Sequence, residues 1–251
     1  MKANHNNRSW WHHQLVNKYM GIEERFLWWV GEFGKRLQRI RLLFINGRTY
    51  FMHYKGEISD EKHRISIRNW FGTLLIYIAE LLGVPGIYQT IAELIKFNTR
   101  PLSAKEIEIA KTVFGDGLNY ELIRWDKKAF FVAKRRKLAY VSFHTINSWG
   151  DLSAAIFIHE LVHVWQYEQM GAVYIPRALA AQKTAEGYNY GGVEALRIHA
   201  YKGLAAFNLE QQGEIIADYF RIKNDMLPTY GYGTKADLPI YEQYVEEVRR
   251  S

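Results

Sequence analysis

The alternation of apolar and polar positions divides the chain near Asn98-Thr99-Arg100-Pro101. Before that point the longest apolar stretch, Trp70 to Tyr88, is broken by Glu80, Gly83 and Pro85. A membrane span needs about twenty apolar residues with few interruptions. The breaks instead predict a buried helix ending near Gly83-Val84-Pro85 and a second helix from Ile87 to Lys96. Pro101 restricts the residue before it, and Ser103 followed by Glu106 reads as a capping box for a helix over Ala104–Phe114. Gly115-Asp116-Gly117 stops that helix. Three short runs rich in β-branched and aromatic residues come next, at 122–125, 129–133 and 138–143, and predict strands. The basic turn Lys134-Arg135-Arg136-Lys137 is expected to join the last two as a hairpin. From Leu152 the pattern is helical almost to the end, and no internal repeat is present. The expectation is an α+β chain: a mainly helical N-terminal region over 1–98, then a mixed domain over 99–251.

Composition narrows the chemistry. With 251 residues, 48% of them hydrophobic and 24% charged, the chain has the balance of a folded protein rather than a disordered or fibrous one. The absence of cysteine excludes disulfides, Cys-ligated zinc, iron–sulfur clusters and a thiol nucleophile. The net charge of +7 lies wholly in residues 1–69, which hold thirteen Lys/Arg against six Asp/Glu; residues 70–251 hold twenty of each. That asymmetry argues against a nucleic-acid-binding surface. Trp10, Trp11, Trp28 and Trp29, set among basic residues, suit a membrane surface, a protein partner or the remainder of the chain. The first apolar run, Phe26 to Val30, lies between Glu24 and Glu32 without a small-residue cleavage site. It does not read as a secretory signal, so any export is expected to use another route.

Within the predicted helix Ser153–Met170 stands His159-Glu160-Leu161-Val162-His163, an H-E-x-x-H sequence. Residues i and i+4 share a helix face, so both imidazoles can bind one metal ion, with Glu160 beside them as a base rather than a ligand. The extended form with a third histidine fails, because Gln166 and Gln169 occupy the Gly and His positions. Downstream, Glu214 and Asp218 are again i and i+4 on a predicted helix. This E-x-x-x-D arrangement resembles the second helix of gluzincin metallopeptidases. By that resemblance Glu214 is the third zinc ligand and Asp218 orients a ligand histidine, His159. Glu210, one turn earlier on the same face, is the alternative ligand.

Pro101-Leu102-Ser103-Ala104, Val113-Phe114-Gly115-Asp116, the strands, Ile158 to Gln166, and Glu210-Gln211-Gln212 leading to Glu214 and Asp218 together resemble a bacterial family of zinc metallopeptidase domains. That family is associated with type VI secretion and other contractile injection systems, and the similarity covers about residues 101–225. It implies a zincin-like fold, a small antiparallel sheet plus active-site helices. It also implies a secreted antibacterial effector that acts in the periplasm of a target cell, with a spike protein and an immunity protein as partners.

Two imidazoles and one carboxylate leave a fourth zinc position open, the catalytic pattern. The expected reaction is hydrolysis of a protein or peptide amide bond, with Glu160 moving the proton. An oxyanion donor is sought between the ligand segments, at His199 first and Tyr201 second, with Tyr188 and Tyr190 in the same stretch. His144 reads as structural. The strand 138–143 is expected to align an extended substrate. His5, His12, His13, His53 and His63 lack ligand spacing. Two other readings stay open: a zinc hydrolase of cell-wall peptide stems, and an adaptor that keeps the fold without catalysis. The N-terminal region is expected to be separable from the metal site, and membrane contact by it is compatible with its composition.

Overall fold

The computed structural model describes residues 3–53, 67–96, 98–130 and 139–250, with side chains described from residue 16 to 45 and from 69 onward within those ranges. The expected 134–137 hairpin, residues 131–133 of the strand expected at 129–133, and the side chains of Trp10, Trp11, His5, His12, His13, His53 and His63 lie outside the described residues.

Four helices come first: α1 (Ala3–Gly31), α2 (Phe33–His53), α3 (Ile67–Leu81) and α4 (Val84–Ile95). The predicted break between the last two is present. Gly83 adopts φ +74°, a left-handed turn that residues with a side chain rarely take, and Pro85 lies in the first turn of α4. Strand β1 (Thr99–Pro101) then leads to α5 (Ala104–Phe114). Here the sequence signature is realised in full: Ser103 Oγ accepts from the Glu106 amide while the Glu106 carboxylate accepts from the Ser103 amide. Strands β2 (Arg124–Asp126), β3 (Tyr140–Ser142) and β4 (Thr145–Asn147) complete the sheet.

The sheet corrects the expectation of an antiparallel arrangement. Its order is β1-β2-β4-β3; β1–β2 and β3–β4 are antiparallel, but β2–β4 is parallel. The reason is a tight turn at Phe143-His144, with Phe143 at φ +59°, which folds β4 back between β3 and β2. The third apolar run therefore ends at a turn, and beyond it lies a fourth strand that the run of β-formers does not announce. β3 forms an edge of the described sheet.

The rest is helical: α6 (Ala154–Met170), α7 (Tyr174–Ala181), α8 (Gly192–His199), a 3-10 segment at Ala200–Ala206, α9 (Leu209–Lys223) and α10 (Leu238–Arg249). Ser153 caps α6 through the Ile156 amide and Gly171 ends it at φ +79°. The core is built around α6 and α9, with Ile158, Leu161, Val162, Ile215 and Ile216 fully buried, and Trp125 of β2 stacking on Phe157 at 5.1 Å.

The expected boundary falls one residue before β1, yet the helices on its N-terminal side pack closely against the sheet and α6 on its C-terminal side. Arg124 of β2 pairs with Glu24 of α1 at 2.7 Å and approaches Glu93 of α4 at 3.6 Å. Arg25 pairs with the same Glu93 at 2.6 Å. Glu80 of α3 meets Arg39 at 3.2 Å and accepts a hydrogen bond from the Ala172 amide at 2.7 Å, just beyond α6. Trp28 lies against Tyr167 of α6 and edge-on to His144.

Glu93, Arg25 and Arg124 are each at most 5% exposed. Removing one partner of a buried pair leaves an uncompensated charge, typically at a cost of about 3–5 kcal/mol. Glu93→Ala should lower unfolding free energy by an amount of that order, read from the denaturant midpoint. At α5, Arg100 and the Ser103 cap outweigh the effect of burial and hold Glu106 down at about 2. A carboxylate with a lowered folded-state pKa stabilises above its unfolded value and loses that contribution as pH falls towards the folded one. A pH series should show this acid-labile increment, and Glu106→Gln should remove it.

Candidate metal centre

Helix α6 carries His159 and His163 one turn apart, with ring centroids 5.0 Å from each other. Both are buried, as are Glu160 and the flanking Leu161, Val162 and Val164, so the ligand-bearing face is held in the core. Helix α9 crosses this face. Asn208 caps it, accepting from the Glu210 and Gln211 amides, while Gln211 accepts in return from the Asn208 amide. This cap places Glu210 in the first turn of α9, where the helix dipole favours a carboxylate.

Glu210 stands between the two histidines. Its Oε2 lies 3.4 Å from His159 Nε2 and 3.4 Å from His163 Nε2, and one ligand atom from each residue lies within 4.8 Å of the others. The alternative carboxylate of the sequence reading thus occupies the position expected for Glu214. Glu214 instead lies behind His159, with Oε1 3.1 Å from Nδ1 and Oε2 3.1 Å from Arg221. Glu214 is thus the carboxylate next to His159 Nδ1, in the place expected of Asp218, although that nitrogen has no hydrogen-bond partner of good geometry.

Asp218, fully buried, serves another purpose. It accepts hydrogen bonds from Tyr190 Oη at 2.9 Å, from the Thr229 and Tyr230 amides at 2.6 and 3.1 Å, and from Arg221 at 2.7 Å. Tyr190 is within 2.7 Å of Tyr241 Oη, so Asp218 ties α9 to the 229–230 turn and to α10.

His163 has a different support. Its Nδ1 is 2.8 Å from Gln166 Oε1. The Gln166 amide nitrogen donates in turn to Leu209 O and Gln212 Oε1, both at 2.9 Å. Gln166, which breaks the extended histidine motif, is completely buried and locks the second histidine to the start of α9. Gly213 permits the approach of the two helices, because a Cβ there would sit 2.5 Å from His159 Cε1. Gln182 donates to Glu210 Oε1 at 2.8 Å. Sequence reasoning misses these roles. Gly213, a lone glycine inside a helical run, is the one signal of close approach that the sequence offers; Gln182 carries none.

The donor set fits a zinc ion. Two ligand atoms, each about 2.1 Å from a tetrahedral zinc, stand about 3.4 Å apart, which is the separation of Glu210 Oε2 from either imidazole nitrogen. Glu210 Oε2 and Glu160 Oε2 are buried without a hydrogen-bond partner. An unsatisfied buried acceptor costs about 1–3 kcal/mol, and more when charged; a cation between the ligands removes that cost for Glu210. Burial opposes charge on both groups, yet the imidazoles hold Glu210 well below the usual carboxylate range. Burial also raises the Glu160 pKa, against the pull of His163 and His159, as suits a proton acceptor.

Of the four candidate oxyanion donors, Tyr188 stands at the site, its ring 5.9 Å from that of His159. Burial and the neighbouring Glu210 and Glu160 push its phenol far above its usual value, so it keeps its proton. His199 packs edge-on against Phe207, and Tyr201 is 78% exposed; neither is brought against the histidines. His144 is buried, 3.2 Å from Glu168, and structural as expected. Tyr174 Oη donates to Val141 O of β3 at 2.8 Å and its ring stacks on His163 at 6.3 Å, linking the edge strand to the centre.

Alanine in place of a glycine inside a helix ordinarily stabilises by about 0.5–1 kcal/mol. Gly213→Ala should break that rule where it matters, with metal affinity falling at least about ten-fold through displacement of His159. Gln166→Leu should weaken metal binding by about 10- to 100-fold, the usual cost of losing a group that orients a ligand. Titration with zinc against a competing chelator measures both.

No family model matches the chain, and no solved structure matches it. The chain is similar to the type VI secretion system spike protein VgrG2b of Pseudomonas aeruginosa, at 33% identity over 138 residues. That similarity takes in 50% of this chain but 13% of VgrG2b, so the chain spans a small part of the relative's length.

Proposed function

We propose that the chain is a zinc-dependent peptide-bond hydrolase that acts as an effector of a type VI secretion system. The observation that carries the hydrolase reading is Glu210 Oε2, buried and unpartnered at 3.4 Å from both imidazole Nε2 atoms, with Glu160 beside them. The similarity to VgrG2b supports the secretion context, with a spike protein as partner.

His159, His163 and Glu210 would hold the ion. Zinc supplies Lewis acidity towards a carbonyl oxygen and lowers the pKa of a coordinated water to about 7. Glu160, kept ready by burial, takes the proton of the attacking water and hands it to the departing amine. Tyr188 donates a hydrogen bond from its hydroxyl to the oxygen that becomes negatively charged as the carbonyl is attacked. Gln166 holds His163 by a hydrogen bond at Nδ1, and the Glu214 carboxylate stands 3.1 Å from His159 Nδ1, on the side away from Glu210. β3, at the sheet edge and tied to Tyr174, is the backbone against which an extended peptide would align.

Metal analysis of the protein purified without added zinc tests the ligand set. His159→Ala and Glu210→Ala should lose most of the metal, whereas Glu214→Ala should retain it with about 10- to 100-fold weaker affinity. Full loss in Glu214→Ala with retention in Glu210→Ala would reverse the assignment. Glu160→Gln should keep zinc and lose about 100-fold or more of its cleavage of an unstructured peptide. Tyr188→Phe should lower kcat with little change in KM. In bacteria, growth arrest is expected when the chain is directed to the periplasm with Glu160 intact, and not with Glu160→Gln.

A further inference from the structure

The four N-terminal helices have the polarity of a water-soluble protein turned inside out. Among their described residues, the buried ones are Lys18, Arg25, Arg36, Glu80, Gln89 and Glu93, with Gly21 and Pro85. Every buried hydrophobic residue of the core among the described residues lies at or beyond Leu102. Most outward positions are apolar, Phe26 and Leu27 on α1, Leu42 and Phe44 on α2, Leu75 on α3 and Ile91 on α4 among them, with Glu23, Lys35, Gln38, Arg41 and Asn69 the exposed polar side chains of their described residues. The charges inside are satisfied there. Lys18 bonds the Glu93 carbonyl, Arg25 pairs with Glu93, Arg39 with Glu80, and Gln89 reaches Thr145 at 3.2 Å. Single exposed apolar residues are ordinary, but a contiguous apolar exterior over a charged interior is not.

A second observation bears on what covers this exterior. No single helix among the described residues is long and apolar enough to cross a membrane, but 69–81 and 84–95 together pass that test and are bent by 65° at Gly83. Helices α3 and α4, of 15 and 12 residues, are about 22 and 18 Å long, each short of the roughly 30 Å hydrocarbon core. The only acidic groups on the pair, Glu80 and Glu93, both point into the protein. The exposed apolar positions recur on all four helices, a distribution that one flat protein partner covers in part and a lipid phase covers throughout. The basic excess of residues 1–69, including exposed Lys35 and Arg41, complements anionic headgroups.

We propose that α1–α4 insert into one leaflet of an anionic lipid bilayer, with the bent α3–α4 pair entering the hydrocarbon and returning from it, and the remainder of the chain held at the membrane surface. This inference stands on the N-terminal helices alone and does not depend on the hydrolase reading.

The absence of cysteine allows a direct test on the full chain. Leu82→Cys and Ile91→Cys, at positions 67% and 51% exposed, and Ile198→Cys on α8, at 67%, are each labelled with an environment-sensitive fluorophore. With phosphatidylethanolamine–phosphatidylglycerol vesicles, the labels at 82 and 91 should shift to the blue and be quenched by spin-labelled lipid, while the label at 198 stays unchanged. In flotation, the variant carrying Leu75→Asp, Leu82→Asp and Ile91→Asp should bind these vesicles at least about ten-fold more weakly. Unaltered thermal unfolding of that variant shows that it has folded; if it fails to fold, the label positions decide alone. Labels at 82 and 91 that ignore vesicles overturn the proposal. So does their burial without lipid in a concentration-dependent oligomer, which would assign the surface to a second copy. Equal insertion into phosphatidylcholine vesicles would overturn the anionic preference.

Discussion

The buried oxygen of Glu210 between two imidazoles is the constraint around which the second half of the molecule is arranged. A carboxylate at 1% exposure is tolerable only with charge or hydrogen-bond donors close by, and here one oxygen takes Gln182 while the other faces His159 and His163. That arrangement demands that α9 begin opposite the middle of α6. Asn208 sets where α9 begins, Gly213 lets the His159 ring lie against its backbone, and Gln166 bolts His163 to Leu209 and Gln212. Asp218 then anchors the next turn of α9 to the C-terminal segment, so the helix cannot rotate without breaking buried hydrogen bonds.

The opposite end of α6 carries a different load. Tyr167 meets Trp28, and the amide just beyond the helix end, at Ala172, is satisfied by Glu80 of α3. One helix thus links the metal-type cluster to a helical body whose charges turn inward and whose apolar groups turn outward. The charged interior makes physical sense as the side that faces the sheet and α6, where Arg124, Asp126 and Thr145 offer partners. A body of this polarity held in a bilayer would fix the distance of the histidine–glutamate cluster from the lipid.

Short-range signals were the legible ones. The Ser103–Glu106 capping box and the Gly83–Pro85 break each bind residues within about one helical turn, so their meaning does not depend on what packs against them. The same holds for His159 and His163, whose shared face is a consequence of helix geometry. The strands were harder to place. The turn at Phe143-His144 has no glycine or Asn-Gly pair to announce it, and the parallel pairing of β2 with β4 joins segments about twenty residues apart.

The sequence by itself determined the break between α3 and α4, the bounds of α5, the extent of α6, the H-E-x-x-H face and the presence of a downstream run of acidic residues at helical spacing. It could not decide which carboxylate of that run meets the histidines. Glu210, Glu214 and Asp218 share one face at intervals of one turn, and the choice among them depends on how far α9 slides along α6. Tertiary structure made that choice through the Asn208 cap, which sets the first turn of α9, and the Gly213 contact, which acts across the interface between the two helices. It also decided that the apolar residues of α3 and α4 face outward and their glutamates inward. Hydrophobicity along a chain records which residues are apolar, while the side on which they lie is set by where the partners of the charged residues stand.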